Sequence, residues 1–372
     1  MVAFVRTQDA PVAPPPANMT GAWAAAKQKF FPTPLSSVAG VIIAALVAWV
    51  VWTLIDWAVI RAVWSAPDRE LCNAEGAGAC WPYAFARFHQ FIYGFYPVEE
   101  RWRVNIVFLL GALSLAALLI PSIPRKGLSA LFFFVIYPVL TGILFVGGMF
   151  GLTYVETTQW GGLMVTLVLS VTSMVASVPL GILLALGRRS TMPIVSLLST
   201  IFIEVVRGVP LVLVLFMAVN MFPLFMPPGV NPDKLLIVII GMALFAAAYM
   251  AEIIRGGLQA IPKGQYEGAQ AVGLSYWKMM GLIVMPQVIK IVIPSIVNHF
   301  ISLFKDTSLV TVVSILDLLG VVQSSFNDAK WASAQTGNTG YFLLAVVYWL
   351  FCFGMSRYSQ FIERKLATGH KR

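Results

Sequence analysis

Long apolar segments recur along this chain, and no other feature constrains its fold as strongly. A stretch of roughly 20 mostly apolar residues can cross a lipid bilayer as a single helix. Segments of that kind occupy residues 37–60, 104–123, 128–150, 160–186, 195–220, 236–256, 284–304 and 340–361. Charged residues make up only 11% of the chain, whereas a soluble domain contains about 25%. The sequence therefore predicts an all-α integral membrane protein with about eight transmembrane helices.

One further apolar run does not have the length of a span. Residues 308–322 are interrupted by polar side chains and are too short to cross the bilayer. They favour a re-entrant or interfacial helix, whose backbone polar groups are satisfied within the segment itself.

The basic residues predict the orientation of the chain. An even number of spans places both termini on one side, and that side carries about twice as many Lys and Arg residues as the other. We therefore expect both termini in the cytoplasm of a bacterial inner (plasma) membrane, and the loop 61–103 in the periplasm. Residues 1–35 are polar and Pro-rich, without the early apolar region of a signal peptide, and predict a disordered cytoplasmic tail.

The cysteines and the net charge indicate neither a metal site nor a nucleic-acid partner. Cys72 and Cys80 both lie in the loop 61–103, and in an oxidising periplasm we hypothesise that they form a disulfide, with two free thiols as the alternative. No spacing of Cys or His residues predicts a metal site. The net charge of +9 is explained by basic loops at the membrane surface rather than by nucleic-acid binding.

Charges and prolines divide the chain into two parts. Residues 36–158 contain three spans with few charges inside them and the long loop 61–103. Residues 159–366 contain five spans with intramembrane charges, and one long loop, 257–290, on the side of the termini. We interpret the first part as an accessory extension and the second as the functional core.

The loop 257–290 carries the most specific pattern in the sequence. A short helix at Glu267 and a left-handed residue at Gly273 predict a compact knob, to which Trp277 and Met279 add adaptable apolar surface. The spacing Glu-Gly-Ala-x3-Gly-x9-Ile-x-Met-Pro is formed by Glu267, Gly268, Ala269, Gly273, Ile283, Met285 and Pro286. This pattern resembles the EAA loop of ABC importer permeases, in which the second and the penultimate positions are usually Ala and Leu.

Three other segments narrow the resemblance. Residues 204–211, 251–257 and 305–309 are similar to the polar amino-acid branch of that family, which serves histidine, glutamate, glutamine, arginine and opines. The resemblance covers residues 159–366 and implies a type I (MetI-like) permease core of five spans. With its extension, the whole chain resembles the M-type permease subunit of general L-amino-acid or glutamate, glutamine, aspartate and asparagine importers.

The resemblance also implies partners and a mechanism. The loop 257–290 would dock as a coupling helix on a cytoplasmic ABC ATPase dimer, which binds ATP and Mg²⁺. A homologous Q-type permease would supply the second half of the translocation path, and a periplasmic binding protein would deliver the amino acid. We therefore expect a non-catalytic subunit that holds no cofactor, contacts membrane lipid and binds no nucleic acid.

Two charges lie inside the segment 195–220. An ionisable side chain in a span costs at least about 2.5 kcal/mol, and Glu204 and Arg207 are three residues apart, within pairing distance near the middle of the membrane. Gly208 and Pro210 weaken the helix there, as at substrate sites of transporters. One hypothesis places Arg207 against a substrate carboxylate, with Glu204 supporting it or contacting the ammonium group. The other assigns the pair to helix packing or to a subunit interface.

A second group of polar residues ends the segment 284–304. Candidates for the outer mouth of a substrate path are Asn298, Lys305, Asp306, Thr307 and Ser308, together with His299. The alternative is that Lys305 extends to the membrane surface and Asp306 caps a helix. Glu252 and Arg255, also three residues apart, are expected to brace the coupling loop.

Other classes of protein remain as alternatives. A permease for another polar solute fits the same motifs, and an ion-coupled secondary transporter fits the number of spans. Such a transporter usually has matching interrupted helices in two halves, and the sequence does not display them. An integral membrane enzyme needs a cluster of His, Asp or Cys at one face, and neither this cluster nor a catalytic motif occurs. The sequence thus favours an ATP-driven amino-acid importer permease.

Overall fold

The computed structural model describes residues 33–120 and 122–367. The predicted tail, residues 1–35, lies outside this range except for its last three residues. The helices in the described residues are α1 (Pro34–Ile60), α2 (Trp81–Tyr93), α3 (Arg101–Leu119), α4 (Lys126–Val146), α5 (Gly162–Arg188), α6 (Pro193–Gly208), α7 (Leu211–Asn220), α8 (Lys234–Ala260), α9 (Lys263–Ala271), α10 (Met285–Asp306), α11 (Leu318–Ser324) and α12 (Thr336–Ala367).

The long apolar helices match the predicted spans. Within the described residues, seven helices are long and apolar enough to cross a membrane, and the bent pair α6–α7 makes up to eight. Helices dominate because a span must satisfy its backbone hydrogen bonds within itself. The prediction of an all-α membrane protein with about eight spans is confirmed.

Helix α8 is the centre of the bundle. Two thirds (67%) of its most apolar window is buried inside the protein, whereas the corresponding value for α1 is 0%. Ala246, Ala247 and Ala248 are fully buried, and such small side chains let neighbouring helices approach closely. On the facing helix α5, a side chain at Gly181 would collide with Met250. The functional residues described below are arranged around this helix.

The predicted span 195–220 is broken in the structure. Helix α6 ends at Gly208, α7 begins at Leu211, and their axes differ by 105°. Val209 and Pro210 have extended backbone, because proline disfavours the helical conformation of the preceding residue and has no N–H for the next turn. The chain therefore turns sharply inside the bundle instead of crossing as one helix.

The run 308–322, predicted as a re-entrant or interfacial helix, does not form one continuous helix in the structure. Residues Thr307–Val313 continue α10 as a tight 3₁₀ helix, and Ser314 then adopts a left-handed conformation (φ 59°). The separate helix α11 follows, capped by the side chain of Asp317, which accepts a hydrogen bond from the backbone N–H of Gly320 at 2.9 Å. A left-handed residue ends a helix, so the run forms two short pieces.

The N-terminal extension consists of α1, the hairpin α3–α4 and the loop between α1 and α3. The Nζ of Lys126 caps the end of α3 by donating to the carbonyls of Ala117 (2.8 Å) and Leu118 (3.1 Å). The loop is itself folded: it contains α2 and a disulfide between Cys72 and Cys80, whose Cα atoms are 5.5 Å apart.

Candidate substrate cavity and coupling loop

A cluster of charged side chains joins α5, α6 and α8, with Glu252 at its centre. The Nη1 of Arg188 lies 2.7 Å from Oε1 of Glu252, and the Nη2 of Arg255 lies 2.8 Å from its Oε2. The Nη1 of Arg207 lies 3.4 Å from the same Oε2. One carboxylate thus faces three guanidinium groups, and we call this group, together with Glu204, the Glu252 network.

Glu204 pairs differently from the expectation. Its carboxylate contacts Arg188 at 2.8 Å, and its side chain is 55% exposed. Arg207, in the last turn of α6 before the break, is directed to Glu252 instead. The expected Glu204–Arg207 pair is therefore replaced by one network, which also includes Arg255. Glu252 and Arg255, expected from the sequence to brace the coupling loop, thus belong to the same cluster as Arg207 of the broken span.

Arg207 is connected to an aromatic ring on α8. Its guanidinium lies 5.5 Å from the ring centroid of Tyr249, and the Tyr249 hydroxyl donates to the Arg207 carbonyl at 3.5 Å. The Nε of Arg207 is buried without a hydrogen-bond partner in the described residues. A buried, unsatisfied donor on a cation is energetically costly and is available to an anionic ligand.

A cavity of about 380 Å³ is lined by Tyr249 and by Leu211, the first residue of α7 after the break. Its walls are formed by Leu211, Phe245, Tyr249, His299, Ser302, Leu303, Asp306 and Leu309. These residues come from α7, α8, α10 and the 3₁₀ segment that follows α10. We call it the central cavity, and its volume lies at the lower end of the range for small-molecule sites, roughly 300–1,000 Å³.

The polar lining of the central cavity comes mainly from α10. His299, Ser302 and Asp306 are three and four residues apart, and so lie on one face of that helix. The Nε2 of His299 donates to the Ala246 carbonyl at 3.1 Å, and its ring stacks on Tyr249 at 6.0 Å between centroids. Asp306 supplies a carboxylate to the wall. The wall of the cavity thus combines apolar side chains with polar ones.

Among the predicted path residues, Asp306 and His299 line the central cavity. Asn298 and Lys305 are exposed, and neither contributes to the wall. Thr307 is buried and donates to the Phe304 carbonyl at 2.8 Å, while Ser308 donates to the Lys305 carbonyl at 2.8 Å. These two hydroxyls donate to backbone carbonyls in the last turn of α10, and neither residue lines the cavity.

Tyr249, Phe245 and Ser302 were missed by the sequence analysis. Phe245 and Tyr249 are four residues apart, a spacing that places them on one helix face, but apolar and aromatic side chains at that spacing are common in every span. Ser302 completes the i, i+3, i+7 row with His299 and Asp306. This spacing of three polar residues is the sequence feature that could have indicated a polar face on α10.

The coupling loop folds as a helix, a glycine turn and a second helical turn. Helix α9 carries Glu267 and Gly268 on its exposed side and the buried Ala269 on the other. Gly273 has φ +75°, its N–H donates to the Gln270 carbonyl at 2.9 Å, and Leu274 N–H donates to the Ala269 carbonyl at 3.1 Å. This left-handed glycine is the turn that the sequence pattern predicts.

The rest of the pattern leads from the loop into α10. Ile283 is half-buried in the π-helical stretch that precedes α10, and Pro286 occupies the first turn of that helix, where its missing N–H is tolerated. Both residues thus lie where the chain leaves the loop and enters α10.

Large apolar side chains are exposed on this loop. Val272 is 73%, Trp277 69% and Leu282 71% accessible to solvent. Met279, expected on the surface, is instead buried in the same apolar cluster as Ala269. Large apolar side chains that are exposed on a loop are typical of a protein-binding surface. Only two residues separate α9 from α8, the helix that carries Glu252 and Tyr249.

This fold and site define a polytopic membrane permease in which a surface knob is joined to an intramembrane cavity. Residues 177–368 match the family of binding-protein-dependent transport system inner membrane components, and the chain belongs to that family. It is 49% identical over 86% of its length, and 88% of the relative, to the inner membrane amino-acid ABC transporter permease protein YhdY of Escherichia coli K12.

Two other relatives differ in how much of this chain they cover. The chain is 39% identical to the glutamate/glutamine/aspartate/asparagine transport system permease protein BztC of Rhodobacter capsulatus, over 99% of both chains. It is 33% identical to the probable glutamine ABC transporter permease protein GlnP of Bacillus subtilis, over 55% of this chain and 91% of that protein. A solved amino acid ABC transporter with histidines aligns with 55% of this chain and 92% of its own, at 29% identity and a TM-score of 0.48.

Proposed function

We propose that this chain is the transmembrane permease subunit of an ATP-driven amino-acid importer. The observation that carries the proposal is the EAA-type loop, built as an exposed apolar knob and continuous with the helix that lines the central cavity. A force applied to the knob by a partner therefore reaches the cavity through one rigid helix. Membership of the inner membrane component family supports the same function.

The partners follow from the exposed surfaces. Val272, Trp277 and Leu282 would pack in a groove of a cytoplasmic ABC ATPase dimer, which binds ATP and Mg²⁺ and performs the hydrolysis. This arrangement requires the loop, and with it both termini, to face the cytoplasm. A homologous Q-type permease would complete the path, and a periplasmic binding protein would supply the amino acid. This chain would remain non-catalytic and without a cofactor of its own.

The central cavity suits a zwitterion. Asp306 offers a carboxylate to an ammonium group. Arg207 is not part of the wall, but it contacts the wall residue Tyr249, and its partnerless buried Nε would donate to an α-carboxylate that passes Tyr249. Charge-assisted hydrogen bonds of this kind are roughly twice as strong as neutral ones. We therefore place the amino acid between α7, α8 and α10, with Glu204 outside the path.

Two other functions remain to be separated by experiment. A tagged full chain purified from native membranes is expected to recover an ATPase, and vesicles containing the complex should accumulate labelled L-glutamate, L-glutamine, L-aspartate or L-asparagine only with ATP. Uptake that follows a proton or sodium gradient without ATP would instead establish a secondary transporter. Competition by a non-amino-acid solute alone would establish a permease for another substrate.

Replacement of Arg207 by Ala tests the substrate site. Loss of a charge-assisted contact worth about 1.5–3 kcal/mol should raise the uptake KM by roughly ten- to a hundredfold, with the ATPase still bound. The control is Arg357→Ala, which removes an exposed arginine from α12. An unchanged KM in a correctly assembled Arg207→Ala complex would assign Arg207 to helix packing.

A further inference from the structure

The loop between α1 and α3 is packed against a segment of the permease core that follows α10. We call residues 61–97 the connector subdomain and residues 314–335 the α11 segment. The Cys72–Cys80 disulfide is buried in one apolar cluster with Leu318, Val321 and Val322 of α11. The connector subdomain therefore contacts the core through folded, apolar packing.

Polar contacts fix the register of this packing. The hydroxyls of Tyr83 and Ser325 are 2.6 Å apart, and Arg87 forms an ion pair with Asp328. The backbone N–H of Cys80 donates to Oγ1 of Thr339 at 2.9 Å, at the start of α12. Burial raises the pKa of the Tyr83 phenol, so the hydroxyl keeps its proton for this contact.

The end of α2 also touches the start of α5 by its backbone. A Cβ atom on Gly94 would lie 2.4 Å from the Cα of Gly161, so no larger residue fits there. The next residue, Gly162, donates its N–H to the carbonyl of Leu316 at 3.0 Å. The connector subdomain, the first turn of α5 and the α11 segment thus meet at one junction.

From α11, a chain of hydrogen bonds leads to the central cavity. The buried Asp317 accepts from Oγ1 of Thr311 at 2.9 Å and from the hydroxyl of Tyr348 at 3.3 Å. The Tyr348 hydroxyl is in turn 3.4 Å from Oγ1 of Thr307, which directly follows the cavity residue Asp306. The position of α11 is therefore linked to the cavity-lining end of α10.

We propose that the connector subdomain is a clamp that holds the α11 segment against α5, and so positions the Asp306 end of α10. Helix α11 has seven residues and follows the left-handed Ser314. A helix of that length is not stable by itself and depends on tertiary packing. The connector subdomain supplies that packing on one side, through Tyr83, Arg87 and the disulfide. For transport, the clamp rests on the function proposed above.

Hydrogen exchange of the full chain in lipid nanodiscs tests the clamp independently of transport. In Tyr83→Phe combined with Arg87→Ala, backbone exchange in residues 314–335 should rise about tenfold, because each lost contact lowers the cost of local opening. Exchange in α9 should stay unchanged. The matched control is Arg69→Ala, an exposed arginine in the same subdomain. Unchanged exchange in the α11 segment of the folded double variant overturns the proposal.

A charge exchange distinguishes positioning from general destabilisation. Arg87→Asp alone should increase exchange in the α11 segment and raise the KM for the amino acid best taken up in the vesicle panel, with Vmax nearly retained. Addition of Asp328→Arg should restore both values, since the ion pair is remade in reverse. A lack of restoration, with both variants folded, contradicts the clamp. If the charge exchange restores slow hydrogen exchange but the parent protein takes up no amino acid, the clamp is supported and only the proposed function is contradicted.

Discussion

Replacement of Glu252 by Gln is expected to reduce uptake by at least about tenfold and to lower the thermal unfolding midpoint by on the order of 5 °C. The substitution keeps the shape of the side chain and removes the charge that faces Arg188, Arg207 and Arg255. Removal of one partner of a fully buried ion pair costs roughly 3–5 kcal/mol. We expect about 2–3 kcal/mol here, because these arginines are 24–33% exposed and water screens part of the repulsion.

The measurement is thermal unfolding of the detergent-purified chain together with uptake at matched expression. Glu75→Gln is the control, since it removes an exposed carboxylate from the connector subdomain. Arg255→Met should have a smaller effect, because two guanidiniums still compensate Glu252. If Glu252→Gln unfolds at the temperature of the parent protein and transports normally, the Glu252 network contributes neither to the stability of the chain nor to transport.

A change at the coupling loop is expected to abolish uptake while the spans stay folded. In the combined variant Glu267→Ala and Gly273→Pro, proline cannot adopt the φ of +75° at position 273, and its missing N–H removes the 2.9 Å bond to Gln270. The turn between α9 and the following helical turn is then lost. ATP hydrolysis by the partner should continue in the reconstituted complex, uncoupled from transport.

Gly264→Ala is the matched control for that variant. Gly264 lies in α9, and a Cβ atom there meets nothing within 4 Å, so alanine should be tolerated or slightly stabilising. The ratio of ATP hydrolysed to amino acid accumulated should rise sharply in the double variant and stay unchanged in the control. Undiminished uptake by the double variant, at normal membrane levels, would refute the assignment of this loop as the coupling element.

The sequence predicted the features that depend on local chemistry. The spans follow from the length of apolar runs, and the turn at Gly273 follows from a glycine at the end of a short helix, with φ +75° in the structure. The break after Gly208 was indicated by Pro210, although its angle of 105° was not. In each case one residue or one run determines the backbone without reference to distant parts of the chain.

The central cavity was predicted only in part. Asp306 and His299 belong to it, but Lys305, Thr307 and Ser308 do not, since successive residues of a helix point in different directions. Which direction faces the cavity depends on how α10 packs against α8. The partner of Glu204 was also mispredicted, because Arg188 comes from a different helix and its distance is set by tertiary packing.

The sequence by itself determined that this protein is a helical membrane protein with a glycine turn in the loop 257–290, because apolar length, proline and glycine act on their own neighbourhood. The expectation of a permease came from the resemblance of that loop to the EAA loop. Only the tertiary structure decided that Glu252 pairs with three arginines, that Arg207 contacts the cavity residue Tyr249, and that the extension packs on α11. These contacts join residues far apart in the chain. Their free energies depend on distances and burial that arise only when the helices pack together.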